Sequence, residues 1–403
     1  MALRTRGEVD RKGKRPGIAD GHLIIATQNF PPALGGIERF SEDLALALSA
    51  RWPRLTVLAP RQAGADAHDK DAHHEIVRYS CWPTRELGLA RALWPRLDDV
   101  CAIVCMQWTS AIVPAIVLAS RSTALGNRPL AIVGHGKELI PAAKSVLPRR
   151  LNALVRSRVL QAATHVLVNS AHTCGLAVKA GAVRQRVVVL HPGVDVERFR
   201  PRQSAEDMAR YRDGVESPCL LTVSRLVPRK GVDTVIEALP TLRTRFPNIL
   251  YLVAGDGPDR PRLETKARRL GVARCVRFLG RVAEEDLPSL YTVADLFVLV
   301  SRVDDERSDV EGFGMVLLEA QACATPVVTT SSGGMPDAIA TGESGELVPA
   351  SDPGALADTL TKLLRDPERL ARMGRRAREK AESHTWSAVA GRLLSILHLV
   401  DDA

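Results

Sequence analysis

Leu23-Ile24-Ile25-Ala26-Thr27, then Asn29-Phe30-Pro31-Pro32-Ala33-Leu34-Gly35-Gly36, then Ile37, Phe40, Leu44 and Leu48, then Leu55–Ala59: the run from 23 to 59 decides the fold. An apolar run of five residues has the length of a strand. Apolar residues three and four apart line one side of a helix, and a second apolar run follows. Strand, helix and strand in that order pair in parallel through a crossover. The same rhythm continues through Val100–Met106, Leu130–Val133, His165–Val168 and Val187–Leu190. After His191-Pro192-Gly193-Val194-Asp195 comes a polar stretch with Pro201. The rhythm then restarts at Cys219–Val223 and runs through Leu250–Ala254, Val276–Leu279, Leu296–Val300 and Pro326–Thr329. The expected fold is α/β: two Rossmann-like doubly wound domains, 21–200 and 201–385. Ligand belongs at the carboxyl ends of the strands, in the crevice where the domains face each other. The last helical segment, within 386–403, is expected to pack back on the first domain.

The bulk numbers agree with that division. At 403 residues the chain suits two domains of roughly 100–200 residues. It is 45% hydrophobic and 25% charged, which is enough to build cores, and 4% aromatic, which argues against a base-stacking platform. Part of the net charge of +9 falls in residues 1–20, where Arg4, Arg6, Arg11, Lys12, Lys14 and Arg15 face Glu8, Asp10 and Asp20. That segment reads as a disordered basic tail. Gly21-His22-Leu23-Ile24-Ile25 follows it, too short an apolar run for a secretory signal, so a cytoplasmic protein is expected. Val100 to Ser120 carries no charge, but Gln107-Trp108-Thr109-Ser110 and Pro114 divide it into a strand and a short helix. The seven cysteines include no Cys-x-x-Cys pair and are read as reduced core residues.

Three strand-end segments carry chemistry. Gly35-Gly36 occupies a strand-to-helix turn, where backbone comes close to a ligand and helix N–H groups meet a phosphate. Ser224-Arg225-Leu226-Val227-Pro228-Arg229-Lys230-Gly231 crowds three cations into one loop, from which Arg225 and Lys230 reach a diphosphate. Asp309-Val310-Glu311-Gly312-Phe313-Gly314-Met315-Val316-Leu317-Leu318-Glu319-Ala320 spaces two glutamates eight residues apart. With Glu311 at a helix entrance and Glu319 two turns inside, both are expected on one helix face. The N–H groups around Gly312, Phe313 and Gly314 make an anion site.

These elements, together with His135-Gly136-Lys137-Glu138, resemble glycosyltransferase family 4, of GT-B fold, from about residue 21 to Trp386-Ser387. Within it the chain looks most like actinobacterial α-mannosyltransferases acting on phosphatidylinositol mannosides. The resemblance implies an acceptor-binding first domain, a nucleotide-sugar-binding second domain and transfer with retention of anomeric configuration. It places Arg225 and Lys230 on the donor diphosphate, Glu311 on the hydroxyls of the transferred sugar and Glu319 on the ribose. Gly35 and Gly36 approach the phosphates or sugar, and His135 lies by the reacting sugar. Gly312, Phe313 and Gly314 complete the donor site. No metal or other cofactor is expected, because the cations oppose the charge of the leaving diphosphate. The donor of first choice is GDP-mannose, with UDP-glucose and UDP-N-acetylglucosamine as alternatives. The acceptor is lipid-linked, a polysaccharide or a small molecule.

Other signals are read more plainly. Asp304-Asp305-Glu306 with Asp309 forms an acidic loop and not a metal site. Gly255-Asp256-Gly257-Pro258 is turn chemistry. Ser332-Gly333-Gly334-Met335-Pro336-Asp337 resembles a family segment without a catalytic role, and Ala324 stands where the family often has glycine. Arg149, Arg150 and Arg156 are expected on one side of a helix and Leu151, Leu154, Val155 and Arg158 on the other, a basic face that suits peripheral contact with an anionic membrane. A nucleotide-sugar epimerase of the same architecture is the alternative enzyme class. Nucleic acid is not an expected partner.

Overall fold

The computed structural model describes residues 21–120, 128–140, 149–202, 204–212, 217–303 and 310–400. The basic tail and the acidic loop at 304–309 lie outside the described residues. The chain divides into two compact units: the described residues up to Pro192 with those from Trp386 onward, and Gly193–Thr385. The first unit ends eight residues before the boundary read near 200. The second begins and ends at adjacent points, since Val194 N–H donates to the His384 carbonyl at 2.8 Å and Val194 bridges Thr385.

The first unit holds β1 (His22–Ala26), β2 (Leu55–Pro60), β3 (Glu75–Tyr79), β4 (Val100–Cys105), β5 (Leu130–Gly134), β6 (His165–Val168) and β7 (Val187–Val189). The second holds β8 (Cys219–Val223), β9 (Leu250–Ala254), β10 (Val276–Gly280), β11 (Leu296–Leu299), β12 (Val327–Thr330) and β13 (Gly345–Val348). Their orders are β3-β2-β1-β4-β5-β6-β7 and β10-β9-β8-β11-β12-β13. Every strand pair is parallel. Strand order reverses between β1 and β4 in one sheet and between β8 and β11 in the other. In parallel sheets ligands bind beyond the carboxyl ends of the strands at such reversals.

Period-two alternation distributes the second unit's core over both sheet faces. Leu220, Tyr251, Val253, Leu296, Val298 and Val328 pack on one side; Cys219, Leu221, Leu252, Ala254, Phe297 and Val327 pack on the other. In the first unit the helix Gly36–Ser49 buries Phe40, Leu44 and Leu48. Against it lies the helix Trp386–Ile396, with Phe40 and Trp386 rings edge-to-face at 5.2 Å and Arg51 donating to Ser387 Oγ at 3.0 Å. An aromatic pair of that geometry contributes about 0.5–1.5 kcal/mol beyond its buried area.

Two sequence expectations need correction. Cys101, Cys105, Cys219, Cys275 and Cys323 are buried free thiols and Cys174 is half-buried, but Cys81 is exposed. It lies in the connection between β3 and the helix Arg85–Leu93, outside either element. The helix Arg149–Ala162 is also rotated from the expected face. Arg156 is 4% exposed while Leu154 is 54% and Leu151 is 44% exposed, and Arg158 faces out. Val155, Val159 and Leu160 form its packed stripe, and Arg156 falls within that stripe at helical spacing.

Candidate active site

The second unit's site is built where β8 and β11 diverge. The loop after β8 closes on itself: Val227 N–H donates to the Arg225 carbonyl and Lys230 N–H to the Val227 carbonyl, both at 3.0 Å. Gly231 ends the loop at φ 73, and a Cβ there would stand 2.1 Å from the Val300 carbonyl oxygen. Only glycine lets the loop lie against the end of β11. The turn Gly255-Asp256-Gly257 supports it from beneath. A Cβ on Gly257 would meet the Leu226 carbonyl oxygen at 2.2 Å, and Leu226 N–H donates to the Asp256 carbonyl at 3.0 Å. On the other side Arg302 N–H donates to the Arg229 carbonyl at 2.9 Å. The loop is therefore gripped by the ends of two neighbouring strands, β9 and β11.

Its cations converge on Glu311. Lys230 Nζ donates to Glu311 Oε2 at 2.6 Å, and Arg229 Nη1 donates to the same oxygen at 2.7 Å. All three side chains are 13–15% exposed. Burial pushes the Glu311 carboxyl up, but the Lys230 and Arg229 charges outweigh it and hold it at about 2. The backbone of Glu311 is fixed as well, because Gly334 N–H donates to its carbonyl at 2.9 Å. Gly333, at φ 62, leaves room for that contact; a Cβ would stand 2.2 Å from the same carbonyl oxygen. The segment Ser332–Asp337 thus seats the central carboxylate, a role the sequence reading did not give it. Arg225 is exposed, and among the described residues no side-chain hydrogen bond joins it to this cluster.

Glu311 and Glu319 do not share a helix. The helix is Met315–Ala322, and Gly314 before it takes φ 89, so the chain turns between Glu311 and the first helical residue. Glycine permits that turn and ends the expected two-turn spacing. Glu319, 4% exposed, accepts from the Tyr291 hydroxyl at 2.7 Å. Phe313 is buried beside the helix start. At the same strand reversal the Ser224 and Ser301 hydroxyls are buried without a protein partner among the described residues. Arg229, Tyr291 and Ser301 were missed in the sequence reading. Arg229 was visible there only as one more loop cation, and nothing in the local sequence marks the other two.

In the first unit Gly35 and Gly36 are exposed at the start of Gly36–Ser49, where the helix leaves N–H groups unpaired. Gly35 is extended, at φ 169. His135 lies at the end of β5, with its Nε2 2.9 Å from the Met106 carbonyl and its ring edge-to-face with Phe40 at 4.9 Å. A carbonyl only accepts, so Nε2 carries the proton and Nδ1 is the acceptor in the neutral ring. Burial pushes the His135 pKa below the usual histidine range.

Two family models cover most of the chain: "Glycosyltransferase Family 4" matches residues 34–198 and "Glycosyl transferases group 1" matches residues 203–380. The chain is 34% identical, over 379 residues, to the GDP-mannose-dependent alpha-(1-6)-phosphatidylinositol monomannoside mannosyltransferase of Mycolicibacterium smegmatis, covering 93% of this chain and 98% of that one. It belongs to glycosyltransferase family 4. A D-inositol 3-phosphate glycosyltransferase from Frankia alni is 35% identical over 410 residues, covering 97% of this chain and 98% of its own. HepE from Anabaena, solved in complex with UDP, superposes with a TM-score of 0.77 at 22% identity, covering 94% of this chain and all of that one, which establishes a GT-B fold. This family 4 member is thus an enzyme that transfers a glycosyl group, and the epimerase alternative falls. Among the described residues no helix is long and apolar enough to cross a membrane, and no group of three or more His, Cys, Asp or Glu is placed to hold a metal ion.

Proposed function

We propose that this glycosyltransferase moves an α-mannosyl group from GDP-mannose, with retention, to an acceptor bearing an inositol ring. The observation that carries a donor site is the pair of cations on Glu311: Arg229 and Lys230 are held beside one carboxylate at a strand reversal. The nucleotide and sugar rest on the full-length mannosyltransferase relatives, and the inositol ring on a feature common to the names of both groups of relatives.

In the proposed reaction the bond between the anomeric carbon and the diphosphate oxygen breaks. The acceptor oxygen bonds to that carbon on the same face, and its proton passes to the leaving phosphate. Lys230 and Arg225 oppose the charge that grows on the diphosphate, Glu311 accepts from sugar hydroxyls, and Glu319 accepts from the ribose. Gly312, Phe313 and Gly314 contribute backbone N–H groups. Gly35, Gly36 and His135 are proposed as the first unit's contributions. A charge-assisted hydrogen bond contributes about 1.5–3 kcal/mol, so each cation is worth on the order of tenfold to a hundredfold in rate. Charge opposition of this kind needs no divalent metal, and transfer is expected to continue in EDTA.

Thermal shifts with GDP, UDP, ADP and NAD test the donor, since ligand at about a hundred times its dissociation constant adds roughly 2.7 kcal/mol. A shift with GDP supports the reading. A shift with UDP alone moves the donor to a UDP-sugar, the second reading. NMR of the product linkage tests retention; an inverted product removes the same-face mechanism.

Peripheral membrane contact is proposed at the outward face of Arg149–Ala162, where exposed Leu151 and Leu154 lie with Arg150 and Arg158. Sedimentation with anionic but not neutral vesicles supports it; equal sedimentation removes it.

A further inference from the structure

The loop that carries Gly35 and Gly36 is anchored by a side chain from the far edge of the sheet. The side chain of Arg78, on β3, is 4% exposed and makes four hydrogen bonds. Its Nη2 donates to the Pro31 carbonyl at 2.6 Å and to Asp69 Oδ1 at 2.7 Å, its Nε to Asp69 Oδ2 at 2.8 Å, and its Nη1 to the Pro60 carbonyl at 3.3 Å. Its guanidinium also lies 5.4 Å from the centre of the Phe30 ring. The loops after β1 and β2 are thereby joined through one planar group.

Neighbouring contacts extend the anchor. Gln62 Nε2 donates to the Phe30 carbonyl at 2.7 Å. His68 lies between Asp69, 3.2 Å from Nδ1, and Glu42 of the helix Gly36–Ser49, 2.7 Å from Nε2. Burial raises the Asp69 carboxyl, and the bonds from Arg78 and His68 bring it below its usual range, so it stays charged against Arg78. The base of the loop, Phe30-Pro31, is fixed on all these sides, while Leu34, Gly35 and Gly36 at its tip are exposed.

We infer that Arg78 is a positioning residue that fixes the Gly35-Gly36 loop for the donor. The inference rests on the proposed contact of that loop with the donor. The four acceptors need a rigid fork; an ammonium in place of the guanidinium meets one or two of them.

Arg78→Lys keeps the charge and removes the fork. The expected result is a melting temperature close to that of the parent protein, amide exchange in residues 28–39 at least tenfold faster with exchange in Gly193–Thr385 unchanged, and GDP-mannose binding about tenfold weaker. Gly36→Val tests the loop itself and is expected to weaken GDP-mannose binding without altering exchange elsewhere. Unchanged exchange in Arg78→Lys overturns the anchor. Faster exchange throughout the protein reduces Arg78 to a general structural role and also overturns the inference. Unaltered binding in Arg78→Lys while Gly36→Val weakens it overturns the positioning role alone. Unaltered binding in both overturns it through the loop's assignment. If Arg78→Lys does not fold, Asp69→Asn, which keeps the shape and removes the opposing charge, is expected to give the same pattern with a smaller amplitude.

Discussion

Replacing Glu311 with glutamine isolates the electrostatics of the central cluster. Folding takes this carboxyl from 4.5 to about 2 because two cations share one of its oxygens. A difference of that size is on the order of 3 kcal/mol, and leaving a buried pair one partner short costs about 3–5 kcal/mol. The native protein holds the carboxyl less protonated than the unfolded chain does. The stabilisation is therefore complete above pH 4.5 and is lost as pH falls toward about 2. Urea unfolding of the parent and of Glu311→Gln is expected to differ by about 3 kcal/mol near neutral pH and by about 2 kcal/mol near pH 3.5. The same variant is expected to lower kcat/KM about tenfold to a hundredfold. Equal stability at neutral pH, or a gap that does not narrow with acid, refutes the account of Glu311 as an anion held by Lys230 and Arg229.

Arg225→Met, at an exposed position, is expected to leave the melting temperature unchanged while weakening nucleotide diphosphate binding about tenfold, read by titration calorimetry. Tyr291→Phe removes the hydroxyl that donates to buried Glu319 and is expected to cost about 1–3 kcal/mol in urea unfolding. Ala324 holds φ 58, a left-handed conformation unfavourable for a residue with a Cβ; Ala324→Gly is expected to raise stability by about 0.5–1 kcal/mol, read as a higher denaturation midpoint. His135 is kept neutral by burial, so folding stability is complete above the usual histidine range and falls as the unfolded chain takes up a proton below it. His135→Gln is expected to reduce the loss of stability between about pH 7 and 5.

The interior strands were legible because both their faces are covered and their residues read as short apolar runs, as with Cys219–Val223 and Leu250–Ala254. The two strands not recognised, Glu75–Tyr79 and Gly345–Val348, are edge strands of their sheets, where a half-covered face admits Glu75, Arg78 and Glu346. The site divides in the same way. Clustered cations marked the loop whose Lys230 the structure sets on Glu311, and the glycine pair marked the start of the helix Gly36–Ser49. The spacing of Glu311 and Glu319 suggested one helix, but a single glycine in the left-handed region sets the helix start after Glu311. Arg78 and Tyr291 carry no local mark. Each acts on a partner at least 28 residues away in the chain, and only the folded backbone brings them together.

The hydrogen bond from Val194 to His384 makes the second unit a cassette. Its first and last residues lie side by side, and the helix Trp386–Ile396, made last, packs on the helix Gly36–Ser49, made early. A break in the chain has different meanings in the two units. Cutting at the doorway frees residues 193–385 as one continuous polypeptide whose ends a short linker can rejoin. The same cut leaves the first unit in two pieces, with Trp386 separated from the Phe40 it packs on. The first unit therefore cannot finish folding until the whole cassette has been synthesised.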